Sequence, residues 1–218
     1  MYVGSRCIRS QLFMDSTRSS IIREIDWMCQ AGLASMAYYY FDFRDAQKQN
    51  RRGLLSSLLF QLSAKSDACH HIFSRLYFNH DGGARQPSDD ALFECLTEML
   101  KLQDQPATYL IIDALDECPN FTGMPTAREK VLELLEDLVG LRLPNVHICV
   151  SSRREFDIQK SLEPLVSFRI SLDEESGQKA DIAGYIKSVV LSDRRIRKWS
   201  AEDKLLVIDT LSDKADGM

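Results

Sequence analysis

Apolar positions along the chain follow two alternating periods, one helical and one extended. Ile21, Ile25 and Met28 share one face of a helix predicted over 16–31, with Ile22 and Cys29 beside it. Ser16 or Thr17 can cap its start, and Gly32 ends it. Residues 34–43 hold Tyr38-Tyr39-Tyr40-Phe41, aromatic residues that favour strands, followed by Asp42. In a strand the alternate side chains of that run point to opposite faces, so it reads as strand and core rather than a stacking platform. Leu54, Leu55, Leu58, Leu59 and Leu62 recur at helical spacing over 51–64, and further helices are predicted near 67–79 and 89–102. Asp81-Gly82-Gly83 and Gln86-Pro87-Ser88 mark the loop between those two helices. Thr108-Tyr109-Leu110-Ile111-Ile112 is a continuous apolar run of the kind covered on both faces. A long helix near 127–141, a buried strand over 146–150 and a weaker one over 166–170 follow, and helices near 176–191 and 201–214 close the chain. This alternation predicts an α/β fold with a parallel sheet and helices on both faces. Ligands of such sheets sit at the carboxyl ends of the strands, which is where chemistry is to be sought.

Composition narrows the classes of function. At about 150 residues per domain, 218 residues make one large domain, or one plus a fragment. The 27 Lys and Arg against 32 Asp and Glu leave a formal charge of -5, unlike the basic footprint of a nucleic-acid binder. No run approaches the ~18 apolar residues of a spanning helix. Arg6 and Arg9 fall where a signal peptide needs an unbroken apolar stretch, so neither membrane insertion nor export is expected. Cys7, Cys29, Cys69, Cys95, Cys118 and Cys149 stand singly, without a CxxC pair, as expected of reduced thiols in a cytoplasmic protein.

Two strand ends carry the informative residues. In Leu110-Ile111-Ile112-Asp113-Ala114-Leu115-Asp116-Glu117, apolar residues run straight into a carboxylate, with two more carboxylates three and four positions on. A carboxylate at the tip of a buried strand is costly without partners. Mg²⁺ is one use for it, since that ion takes one or two carboxylates together with water and phosphate oxygens. Asp116 or Glu117 could then orient or deprotonate an attacking water. A solvated acidic loop is the alternative. The second end, Val150-Ser151-Ser152-Arg153, offers small hydroxyls and an arginine able to grip a phosphate bidentately. An ordinary strand-to-helix turn with a surface arginine is its alternative. The two ends together, in order and about 30 residues apart, are more specific than either alone.

The segments "YLIIDALDEC" and "LPNVHICVSSR", with "GLASMAYYYFDFRDAQKQNRRGLLSSLLFQLS", "QPSDDAL" and "LVIDTLSDKADGM", resemble the NACHT module of fungal signal-transduction NTPases, also called the nephrocystin-like N-terminal NTPase region. The resemblance covers roughly residues 19–218. It implies a three-layer P-loop NTPase of the ASCE/STAND type, a molecular switch that holds ADP at rest and oligomerises with ATP. By the same resemblance Asp113 is the Walker B carboxylate for Mg²⁺, and Asp116 and Glu117 are the acidic pair after it. Arg153 is the sensor arginine that reports the γ-phosphate, with Ser152 beside it. Relatives usually carry proline after that arginine, where this chain has Arg154, so the turn is less rigid. Implied cofactors are Mg²⁺ with ATP or ADP. Implied partners are the other domains of a larger NACHT protein, an ankyrin or WD repeat domain and an N-terminal effector domain, together with self-association.

The phosphate loop of that family is missing. A Walker A loop needs glycines for close backbone approach, a lysine for the phosphates and a Ser/Thr for Mg²⁺. Among the ten glycines no two are five positions apart and none precedes a lysine, so GxxxxGK[ST] does not occur in the chain. Met14-Asp15 stands where Gly-Lys is expected, and Asp15 would repel polyphosphate although a helix N-terminus favours anions. Thr17 or Ser16 is the hydroxyl that could serve Mg²⁺, and an N-cap is the other use of both. In the family the first strand lies inside the sheet. Here Cys7-Ile8-Arg9-Ser10-Gln11-Leu12-Phe13 has the wrong pattern for that place, so its loss leaves two neighbours unpaired or bridged by something else. The expected organisation is therefore a divergent segment over 1–15, a partial NACHT core over 16–191, and the start of a following helical region over 192–218, in a fragment of a larger protein. A non-catalytic scaffold module that binds no nucleotide is the alternative function. Cys69-His70-His71 with His80 lacks a second ligand pair for a metal, and the basic run 193–199 reads as a solvated face or a docking surface for a partner domain.

Overall fold

The run read as a buried strand forms the middle of the parallel part of a five-stranded sheet. The computed structural model describes residues 2–3, 14–103, 105–121, 123–169, 176–196 and 198–214. In chain order the elements are β1 (Tyr2–Val3), α1 (Met14–Gln30), β2 (Ala34–Tyr40), α2 (Arg51–Ser63), α3 (Asp67–Asn79) and α4 (Asp89–Leu100). They are followed by β3 (Ala107–Asp113), α5 (Ala127–Gly140), β4 (Val146–Val150), α6 (Phe156–Leu162), β5 (Phe168–Arg169), α7 (Ser176–Ser192) and α8 (Ala201–Lys214). Two compact units result, one of residues 1–9 with 22–170 and one of residues 10–21 with 171–218. The sheet belongs to the first. In the second, α7 packs on α8, with Val190 and Ile208 buried.

Strand order in the sheet is β2-β3-β4-β1-β5. β3 pairs in parallel with β2 (Ile112 opposite Tyr39, Asp113 opposite Tyr40) and with β4 (Ile112 opposite Val150). The expected α/β class with parallel strands is therefore present, and so is the incompleteness at the first strand. β1 lies between β4 and β5 but is only two residues long and antiparallel to both, with Tyr2 opposite Val150 and Val3 opposite Cys149. Of the two outcomes expected there, bridging by another segment is the one observed. Residues 6–13, with Arg6 and Arg9, lie outside the described residues.

Strand alternation sorts the sheet into two faces. Ala37, Tyr39, Leu110, Ile112, Val146, Ile148 and Val150 all enter one apolar core. Leu54, Leu55, Leu58 and Leu59 of α2 and Val131, Leu134 and Leu135 of α5 join that core, each at most 1% exposed. Burying a side chain of this size stabilises the fold by roughly 1.5–3 kcal/mol. Tyr38, Tyr40, Tyr109 and His147 fall on the opposite face, where Tyr109 and His147 stack with ring centroids 4.8 Å apart. The tyrosine run thus splits as its period requires, Tyr39 buried and Tyr38 39% exposed.

Helix ends show why the elements start where they do. Asn50, Ser66 and Ser88 cap α2, α3 and α4 through side-chain oxygens that accept the third backbone N–H. Thr126 and Glu129 form a reciprocal capping box on α5. Gly53 has no substitute at its place, since a Cβ would come within 2.4 Å of the Gln47 carbonyl oxygen. Gly32, at φ 71°, ends α1 as expected. The start of α1 differs from expectation. The helix begins at Met14, so Ser16 and Thr17 lie inside its first turn and neither is its N-cap.

Candidate functional site

Chemistry-bearing side chains gather where the carboxyl ends of β2, β3 and β4 meet. Backbone bonds stitch the three tips together, Phe41 N–H to the Asp113 carbonyl at 3.1 Å, Ser151 N–H to Ile112 at 2.9 Å, and Leu115 N–H to Ser151 at 3.0 Å. Asp113 ends β3 and is 3% exposed. Its Oδ1 accepts the Ala114 N–H at 3.0 Å and the Ser151 hydroxyl. Ala114 takes the left-handed conformation at φ 54°, unusual for a residue with a Cβ, and turns the chain into a short 3-10 helix over Leu115–Glu117.

That turn places the two following carboxylates. Asp116 reaches the tip of β4, where its Oδ1 accepts the Arg153 backbone N–H at 3.0 Å and its Oδ2 lies 3.5 Å from Arg153 Nε. Asp116 is mostly buried, whereas the Arg153 side chain is 86% exposed. Glu117 reaches the tip of β2, where its Oε2 accepts the Phe43 N–H at 3.2 Å. Thus Asp113, Asp116, Glu117 and Arg153 stand at the ends of adjacent strands, with Ser152 between Ser151 and Arg153. The Ser152 hydroxyl donates to the Arg153 carbonyl at 2.8 Å and meets none of the carboxylates. Thr17 is not shown at this place, because its side chain lies outside the described residues.

Two contributors escape a reading of the sequence. Ser151, not Ser152, is the hydroxyl on Asp113. The strand register decides it, because Val150 lies opposite Ile112 and the next residue therefore faces Asp113. Arg128, 5% exposed in the first turn of α5, donates from Nε to the Cys118 carbonyl at 2.8 Å and from Nη2 to the Asp116 carbonyl at 2.6 Å. Its Nη1 reaches Glu155 and, at 3.2 Å, Asp157 Oδ2. Beneath the turn, burial pushes the Cys118 thiol up to about 12, with Arg128 opposing, and the thiol donates to the Gln49 carbonyl at 3.3 Å.

Whether these residues suit Mg²⁺ is a question of donor chemistry. Asp113 and the hydroxyl of Ser151 are hard oxygens of the type the ion takes, and they fit it in kind. Among the described residues no group of three or more His, Cys, Asp or Glu could hold a metal ion. The remaining ligands would thus be water and phosphate oxygens. For the phosphates the geometry is less suited. A phosphate loop follows a first strand that runs parallel to its neighbours and ends at this same edge. The described first strand, β1, instead runs antiparallel to β4 and β5.

A parallel-stranded α/β domain with carboxylates and an arginine at adjacent strand tips is the class that fold and site define. The chain belongs to the nephrocystin 3 N-terminal family, whose model matches residues 16–153. The match takes in the whole acidic turn and ends at Arg153. No curated protein and no solved structure matches the chain. Among the described residues no helix is long and apolar enough to cross a membrane.

Proposed function

We propose that the chain is the nucleotide-switch region of a NACHT-type protein of the STAND class, with the Walker B strand end and the sensor arginine kept and the phosphate loop not represented in residues 1–218. The observation that carries the reading is the tether between Asp116 and Arg153 across adjacent strand tips. The guanidinium side of this pair is exposed and screened by solvent, so it can exchange Asp116 for a phosphate oxygen while the Arg153 backbone N–H stays on the mostly buried carboxylate. Asp113, with Ser151, would hold Mg²⁺, which supplies positive charge against the phosphates. Asp116, relieved of Arg153, and Glu117 are then the groups placed to orient or deprotonate water. Ser152 would assist at the phosphate, and Thr17 is the weakest member of the set. The free cysteines among the described residues suit a cytoplasmic setting. The resemblance to fungal signalling proteins supports a repeat domain, an N-terminal effector domain and further copies of the chain as partners.

Titration of the purified chain with a fluorescent ADP analogue in Mg²⁺ tests this reading. Saturable, weak binding is expected, lost with EDTA and weakened about tenfold or more in Arg153→Ala, the order expected for one hydrogen bond to a charged group. No saturable binding, or equal affinity in Arg153→Ala, overturns it. The first of those results would favour the scaffold reading.

A further inference from the structure

We infer that Arg128 is the positioning residue that keeps the two halves of this site in register. The inference rests on the reading of Asp116 and Arg153 given above, and its observation is separate. The turn carrying Asp116 and the loop carrying Arg153 belong to different strand-to-helix connections, and their only covalent link runs through α5 and β4. Arg128 spans both. On one side its Nε and Nη2 grip the carbonyls of Cys118 and Asp116, which bracket the 3-10 turn at its far end. On the other side Nη1 holds Glu155 and Asp157, two and four residues past Arg153. Asn120 extends the clasp, with Nδ2 on Asp157 Oδ2 at 2.8 Å and Oδ1 accepting from the Thr126 hydroxyl at 3.2 Å. Two carboxylates face one guanidinium that is nearly fully buried, so the cluster is held by charge and by forked geometry together.

The geometry also states what a substitute can do. A lysine keeps the charge but offers a compact ammonium in place of a planar fork, and cannot serve two carbonyls and two carboxylates at once. With the clasp loosened, the backbone of residues 153–157 is free to drift from Asp116, and the Arg153 N–H loses its acceptor. In the intact protein the loop stays fixed when the Arg153 side chain swings toward a phosphate, so only the guanidinium moves.

Amide hydrogen exchange without nucleotide tests the inference, and it reads the site whether or not nucleotide binds. In Arg128→Lys, exchange of the Arg153 amide is expected to rise about tenfold or more, the order expected for one lost bond to a charged acceptor, while the amides of Leu110–Ile112 hold their rates. A second variant, Glu155→Gln with Asp157→Asn, keeps Arg128 and weakens only the loop side by removing both of its charges. It should speed the Arg153 amide likewise and leave the Glu117 amide, bonded to the Ala114 carbonyl, unchanged. An Arg153 amide unchanged in either folded variant, or one that rises only in step with β3, overturns the inference. If Arg128→Lys does not fold, the double variant decides alone. Absence of ADP-analogue binding by the unsubstituted chain, with these exchange changes present in the variants, would instead count against the nucleotide reading alone.

Discussion

Strands β3 and β1 both lie inside the sheet, one on each side of β4, yet β3 is paired over seven residues and β1 over two. β3 runs with its neighbours and delivers Asp113, Asp116 and Glu117 to the edge where ligands of parallel sheets sit. Every carboxylate it delivers has a partner on a neighbouring tip. β1 runs against its neighbours and so points away from that edge. The three carboxylates are thus brought to that edge by a strand paired along its whole length, whereas β1 is short and runs the other way.

The comparison can be broken most severely in the core. Leu110 is fully buried in β3, and Leu110→Ala should cost about 2–5 kcal/mol in urea unfolding, whereas Val3→Ala in β1 should cost less than about 1 kcal/mol. Equal losses would mean that β1 is as integral to the sheet as β3. At the strand tips, Ser151→Ala removes a donor from a buried carboxylate and should cost about 1–3 kcal/mol, while Ser152→Ala should stay within about 0.5 kcal/mol. The reverse order would mean that the register has been misassigned.

Titration gives a smaller effect with a definite sign. Burial pushes Cys118 and Tyr39 up to about 12 and Cys95 up to about 11. The unfolded chain releases these protons first, near 9.0 for the thiols and 10.0 for the phenol. Stability from these groups is therefore complete below about 9 and is lost as pH rises through 11–12. Urea midpoints that stay flat from pH 8 to 11 would contradict the burial of these side chains. The smallest effect belongs to the tip of β2, where hydrogen bonds from Arg44 hold the half-buried Asp42 carboxyl below its ordinary range. A depressed value stabilises above the ordinary range and is lost as pH falls through it, but solvent screens this pair. Arg44→Ala should raise the Asp42 titration seen by NMR and leave the unfolding midpoint unmoved.

How much of this was legible follows from where each signal lies. The strand over 146–150 and the helix over 67–79 coincide with β4 and α3 to the residue, because continuous apolar runs and capped helical periods are local patterns. The positions of Asp113, Asp116, Glu117 and Arg153 were equally legible, each fixed by its distance from the end of an apolar run. β1 was not, since a two-residue strand has no period. α6 escaped for the same reason, at seven residues with Phe156 82% exposed. Ser151 could be told from Ser152 only by the pairing of β3 with β4. Arg128 looks like any arginine in the first turn of a helix, and its burial depends on carbonyls and carboxylates some ten residues before it and nearly thirty after it.

Steady-state phosphate release by purified residues 1–218, beside a Glu117→Gln control, tests the central claim most directly. On the proposed reading Asp113 and Glu117 would address the metal and the water, while the glycine loop and lysine that cradle a triphosphate do not occur in the chain. Loss of a single preorganised donor typically costs about 10²–10³ in rate, and several are missing together. Release indistinguishable from background in both proteins is the predicted result. Turnover clearly above background in the unsubstituted chain and abolished by Glu117→Gln would contradict the account, and would mean that another segment does the work of the phosphate loop.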